Sequence, residues 1–180
     1  MPRALAAIVS LAALTLAACQ STPSRVHASS TQDEAMLGRI AALEGEWELV
    51  GDGATPGDGS VFTVSGAGSN VREVMFPGHE HEMTNMYHMD GDKLVVTHYC
   101  AGGNQPRMAA RSARETDEGT VYKFEFDSVS NLRPEHDHFM GQMTLTLLHD
   151  GTIRQDWRSF DSDGNLTEPV VFHLRRKTGA

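Results

Sequence analysis

His98 and Cys100 stand two residues apart in Thr97-His98-Tyr99-Cys100, inside a stretch that alternates polar and apolar residues. On a strand, residues two apart share a face, so an imidazole and a thiol point the same way. Asp90-Gly91-Asp92, just upstream, is a hairpin turn signal. A loop of two residues (91–92) or four (90–93) sets Met89 opposite Leu94, Tyr87 opposite Val96, Asn85 opposite His98 and Met83 opposite Cys100. One face then carries Met83, Asn85, Tyr87, Met89, Leu94, Val96, His98 and Cys100. The other carries Glu82, Thr84, Met86, His88, Lys93, Val95, Thr97 and Tyr99. The first set is the more apolar and is assigned to the interior. A three-residue loop would instead bring His88 beside His98.

That assignment buries Asn85, Tyr87, His98 and Cys100, and buried polar groups need partners. One reading is a structural hydrogen-bond network that fixes the fold. The other is a pocket in the lumen of a small barrel, in which Asn85, Tyr87 and His98 orient a small, partly apolar molecule against an oily wall. Gly102-Gly103-Asn104-Gln105-Pro106 follows the strand, and Asn104 and Gln105 offer amide contacts at the rim.

A metal competes with that pocket. The chain holds 9 histidines. His81, His98 and Cys100 share the inner face in this register, a set that suits zinc with water in the fourth place. His136-Asp137-His138 is a second pair, yet H-x-H and H-x-C pairs lack the full ligand spacing of a defined site. A third reading is a small hydrolase-like centre on His98 and Cys100. A nucleophilic pair needs an orienting group and an oxyanion site. Neither is visible, and Glu82, the carboxylate near the hairpin, falls on the outward face. No serine elbow or phosphate-binding glycine loop occurs. The motifs therefore favour binding without a cofactor over catalysis. Net charge is −9, which excludes nucleic acid as a partner, because phosphate contacts need a basic face.

The elements that must position these residues are short strands. Tyr122, Phe124 and Phe126 alternate with Lys123 and Glu125. Met143, Leu145 and Leu147 share a face, Ile153 and Trp157 oppose Arg154, Asp156 and Arg158, and Val170, Phe172 and Leu174 close the series. Glycine-bearing turns separate them at 51–53, 66–68, 117–119, 150–151 and 163–165. A short helix precedes them. Thr31 and Glu34 fit a capping box, and Met36, Ile40 and Leu43 mark one face. About eight to ten strands joined mostly as hairpins predict an all-β fold, an antiparallel up-and-down β-barrel with a short N-terminal helix. A β-sandwich is the alternative.

Gly45-Glu46-Trp47, after the helix and opening the first strand, resembles the G-x-W motif of lipocalin-like (calycin) barrels. The resemblance implies an arginine beyond the last strand stacked on Trp47, and Arg175 or Arg176 stands in that place. Met86-Tyr87-His88-Met89-Asp90-Gly91-Asp92, Thr97-His98-Tyr99-Cys100 and Gly103-Asn104-Gln105-Pro106-Arg107-Met108 resemble the signature of a bacterial family with no assigned activity. That likeness implies a fold and no reaction.

Arg3, the apolar run Ala4 to Leu16 and the small residues before Cys19 have the parts of a secretory signal. The run is well short of the roughly 20 residues that span a bilayer. Leu16-Ala17-Ala18-Cys19 resembles the lipobox of bacterial lipoproteins, which implies cleavage before Cys19 and a diacylglyceryl group on its sulfur. Residues 1–18 read as signal peptide, 19–32 as a lipidated flexible tether and 33–180 as the barrel. Gln20 after the lipidated cysteine implies the outer membrane, facing the periplasm. The acyl chains then hold the membrane, since an acidic domain gains nothing from anionic headgroups. Only Cys100 keeps a thiol after acylation, so no intramolecular disulfide forms.

Overall fold

Ser29 caps the first helical turn: its hydroxyl accepts from the Gln32 backbone N–H while the Gln32 side chain reaches back to the Ser29 backbone. The capping box is thus Ser29–Gln32, not Thr31–Glu34, and the helix begins within the stretch predicted as tether. The computed structural model describes residues 29–51, 55, 58–133 and 138–178. The predicted signal peptide, Cys19, most of the tether, His136 and Asp137 lie outside the described residues.

The helical segment 30–41 opens as α-helix (Ser30–Asp33), widens to a π turn (Glu34–Gly38) and ends in α-helix (Arg39–Ala41). Met36, Leu37, Ile40 and Leu43 bury one face of it. Eleven strands follow among the described residues: β1 (Gly45–Val50), β2 (Gly59–Ser65), β3 (Asn70–Met75), β4 (Met83–Asp90), β5 (Lys93–Tyr99), β6 (Gln105–Ala110), β7 (Ala113–Glu115), β8 (Gly119–Ser130), β9 (Phe139–Leu148), β10 (Ile153–Phe160) and β11 (Val170–Arg176). Each pairs antiparallel with the next except that β6 pairs the second half of the long β8, while β7 pairs its first half. β11 returns to β1, so ten strands close an up-and-down barrel with β7 appended. Closure leaves the ten strands without an open sheet edge.

The β4–β5 hairpin has the register that a two- or four-residue loop demands. Met89 faces Leu94, Tyr87 faces Val96 and Asn85 faces His98. Gly91 supplies the positive φ at the turn, +63°. His88 faces Val95, which excludes the three-residue alternative.

The helix covers the end of the barrel where β1, β3 and β5 begin. Trp47 Nε1 donates to Leu43 O at 2.8 Å. The Arg176 guanidinium lies 4.5 Å above the Trp47 ring and donates to Ala42 O and Glu44 O, tying the last strand to the helix C-terminus. Arg176 therefore takes the stacking place, and Arg175 pairs with Glu48 instead. Gly45 has φ +127°, and a Cβ there would lie 2.9 Å from Arg176 Nη1, so glycine is needed for backbone and for space.

Tyr87, Leu94, Val96, Met108, Tyr122, Phe124, Met143 and Leu145 are all fully buried on the inward rows. Side chains lining a water-sized void would keep accessible area. The middle of the barrel is accordingly filled, in place of the open lumen expected for a ligand carrier of this shape.

Candidate functional site

The alternation Val71-Arg72-Glu73-Val74-Met75 in β3 puts Glu73 on the inward row between two apolar residues. Its carboxylate is fully buried. Four side chains from three other strands converge on it. Ser60 Oγ of β2 donates to Oε1 at 2.8 Å and Gln155 Nε2 of β10 donates to the same oxygen at 2.7 Å. Asn85 Nδ2 and Tyr87 OH, both of β4, donate to Oε2 at 2.8 and 2.7 Å. Two donors per oxygen is the arrangement that an acceptor-only carboxylate completes. No lysine or arginine belongs to the buried set of the described residues, so hydrogen bonds stabilise this group in place of an ion pair.

Two amides relay outward from Glu73. Because Asn85 Nδ2 is spent on the carboxylate, Asn85 Oδ1 faces His98 Nδ1, at 2.7 Å. An amide oxygen only accepts, so the proton sits on Nδ1 of His98; this tautomer is assigned from the network. Gln155 repeats the device: its Nε2 serves Glu73 and its Oε1 accepts from Trp157 Nε1 at 3.1 Å. The two rings so oriented, His98 and Trp157, lie with centroids 5.0 Å apart.

Burial sets the electrostatics. It pushes the His98 imidazole down to about 4, so the ring is neutral at physiological pH. It also pushes the Tyr87 hydroxyl well above its ordinary range, with the Glu73 charge acting in the same direction, so Tyr87 remains a donor. In neutral His98 with Nδ1 protonated, Nε2 carries a lone pair. That atom is buried and has no hydrogen-bond partner.

The other sequence-predicted residues scatter. Asn104 is buried at the start of β6, on the inward row with Pro106, Met108 and Ala110. Its Nδ2 donates to His138 O at 3.0 Å, and its Oδ1 is buried without a partner. Cys100 is half-buried at the end of β5, with its backbone N–H bonded to Asn104 O and its sulfur accepting from the Gly102 N–H at 3.4 Å. Gln105 is spent on its own loop: Nε2 donates to Gly103 O, and Oε1 accepts from Ser130.

His81 was placed on the inner face, and the structure corrects this. It lies exposed in the turn before β4, 3.5 Å from the Glu80 carboxylate and beside the His79 ring. The strand register that carries Asn85 inward stops at Met83, and the turn re-aims what precedes it. His81 is thus separated from His98 and Cys100. Among the described residues no group of three His, Cys, Asp or Glu side chains is placed to hold a metal ion.

Glu73, Ser60, Gln155 and Trp157 complete the site, and the sequence reading missed their role. The signal was a polar residue interrupting an inward apolar row: Glu73 between Val71 and Met75, and Gln155 between Ile153 and Trp157.

Above this polar layer the inward rows stay apolar yet become accessible. Phe126 continues the Tyr122–Phe124 row of β8 and is 39% exposed, and Val170 continues the Leu174–Phe172 row of β11 and is 56% exposed. Phe76, Met83, Met140 and Phe172 are half-buried against the core at the same end. The Phe126 ring packs against Phe139 and Phe160 at 5.4 and 5.6 Å. The chain matches no protein-family model and no curated protein sequence.

Proposed function

We propose that this protein is a lipid-anchored binding protein of the bacterial cell envelope, which holds a small, partly apolar molecule at the mouth of its barrel. The observation that carries the binding reading is the behaviour of the inward rows: beyond the buried layer of Glu73, Asn85, His98 and Gln155 they turn apolar again, and Phe126 and Val170 are open at that end. A concave apolar wall over a few oriented polar groups is the usual composition of a small-molecule site. Here the accessible apolar residues are phenylalanine and valine with half-buried methionine beside them, and His98, Asn85 and Trp157 are buried below. Methionines such as Met83 and Met140 add adaptability, because the unbranched thioether repacks at low energy.

The binding reading is tested by titrating the mature protein with N-phenyl-1-naphthylamine, a neutral apolar fluorescent probe, and by native mass spectrometry for a co-purifying molecule. Saturable probe binding that is lost in Phe126→Asp and Val170→Asp supports it. Equal binding by both variants overturns it. The envelope reading rests on Leu16-Ala17-Ala18-Cys19 and is tested by metabolic labelling with a palmitate analogue. Label should enter the wild type and not Cys19→Ala; an unlabelled wild type removes the anchor.

A further inference from the structure

Two buried acceptors near the mouth have no partner, and both are acceptors by necessity. His98 Nε2 is one, because the Glu73–Asn85 relay places the ring proton on Nδ1. Asn104 Oδ1 is the other, because only the amide nitrogen can donate to His138 O. Both side chains are 1% exposed. They sit on neighbouring strands with inward parity. Cys100 and Asn104 are joined through the backbone across the β5–β6 turn, which leaves His98 and Asn104 one diagonal step apart, about 7 Å between Cβ atoms. Behind them lies the Glu73 carboxylate, with no buried lysine or arginine among the described residues.

We infer that the molecule bound at this mouth presents hydrogen-bond donors, in particular hydroxyl groups on an aromatic body, and carries no carboxylate. The inference rests on the binding reading above and names the ligand class for that site. An orphaned acceptor in a dry site discriminates sharply: a ligand that donates to it removes an unmet hydrogen bond, and one that lacks the donor leaves it unmet. Two such acceptors favour two donors. A carboxylate would set lone pairs against lone pairs, with Glu73 in the same low-dielectric layer. An aromatic body suits the walls, since Phe126, Phe139 and Phe160 form a partly accessible ring cluster at this end. Neutral hydroxyls also enter an apolar site more easily than ammonium groups, which must shed a charged hydration shell.

The test uses four probes of similar size on the mature protein: catechol, phenol, anisole and benzoate. Each is titrated by isothermal calorimetry and by displacement of N-phenyl-1-naphthylamine. Catechol should bind most tightly, phenol next, anisole roughly tenfold weaker than phenol, and benzoate not measurably. His98→Phe should bring phenol down to the level of anisole, and Asn104→Ala should bring catechol down to the level of phenol. The wild-type comparison stands even where a variant fails to fold. Anisole or benzoate binding as tightly as phenol overturns the donor inference and leaves the mouth reading intact. Binding of none of the four while the fluorescent probe binds also overturns it. If the fluorescent probe itself fails to bind, the mouth reading falls and this inference with it.

Discussion

The two ends of the barrel obey the same alternation and come to opposite results. At the helix end the inward rows are apolar and closed over: Met36, Leu37, Ile40 and Leu43 are buried in one core cluster with Tyr87, Leu94 and Ile153. Tyr122 there spends its hydroxyl on Ala35 O, and its polar atom is used up within the seal. At the mouth end the rows take in Glu73, Gln155, Asn85 and His98, and beyond them the apolar residues are left accessible. One end is built to exclude everything, and its stability comes from packed volume. The other holds a hydrogen-bonded layer that fixes the direction of two rings. Polar residues on an inward row therefore mark where packed volume gives way to a hydrogen-bonded layer.

The largest predicted effect separates these two ends. Glu73→Ala removes the acceptor for four buried donors, which then lack partners. Stability should fall by about 4–5 kcal/mol, the range for breaking a buried polar network from one side. Ile40→Ala, at the sealed end, should lower it by about 3 kcal/mol through the cavity it leaves. Urea unfolding midpoints at unchanged slope measure both. The contrast sharpens with ligand. Probe binding at the mouth should survive Ile40→Ala in the fraction that is folded. If Glu73→Ala is as mild as a surface change, the Glu73 layer does not hold the mouth end together.

Much of this contrast was legible in the sequence. The hairpin register followed from Asp90-Gly91-Asp92 and alternation, and it paired Asn85 with His98 correctly. The closed all-β barrel followed from strand count and turn spacing, and a Trp47–arginine contact, with Arg175 or Arg176, was implied by the resemblance of Gly45-Glu46-Trp47 to the G-x-W motif. What escaped was non-local. Glu73 meets Gln155 across 82 positions of sequence, and no periodicity within either strand names that partner. His81 was misplaced because parity was extended past Met83, where the chain leaves the strand and the rule of two no longer applies. The filled lumen was missed because alternation tells which way a side chain points and not how far the opposite wall stands.

Acid should act on the mouth end through His98. Its folded-state pKa, about 4, is below the ordinary value of 6.5, so between these pH values the unfolded chain binds a proton that the folded chain refuses. Stability from this group is fully present above pH 6.5, is lost as pH falls through the window, and is lost no further below about 4. The whole effect is on the order of 3 kcal/mol. His88 is shifted down by burial as well and adds to the same trend. Unfolding free energies from pH 7 to 4 should therefore be steeper for wild type than for His98→Gln. Parallel profiles would mean that the ring is hydrated and that no dry floor exists beneath the mouth.

The smallest predicted effect lies at the sealed end, where Arg176 joins the last strand to the helix. Three interactions meet on one guanidinium: the Trp47 face at 4.5 Å, Glu44 O at 2.8 Å and Ala42 O at 3.1 Å. Each is partly exposed and individually weak, so Arg176→Ala should lower stability by about 1–2 kcal/mol. Arg176→Lys should recover less than half of this, because an ammonium cannot both stack on the ring and reach two carbonyls in a fork. The informative readout is local. Amide exchange should rise in residues 36–43 and stay unchanged in β3 and β4 around Glu73, because the helix opens as its own unit while the mouth layer is held by its own hydrogen bonds. Equal exchange at both ends would show instead that the barrel unfolds as one piece and that the seal and the site are a single cooperative structure.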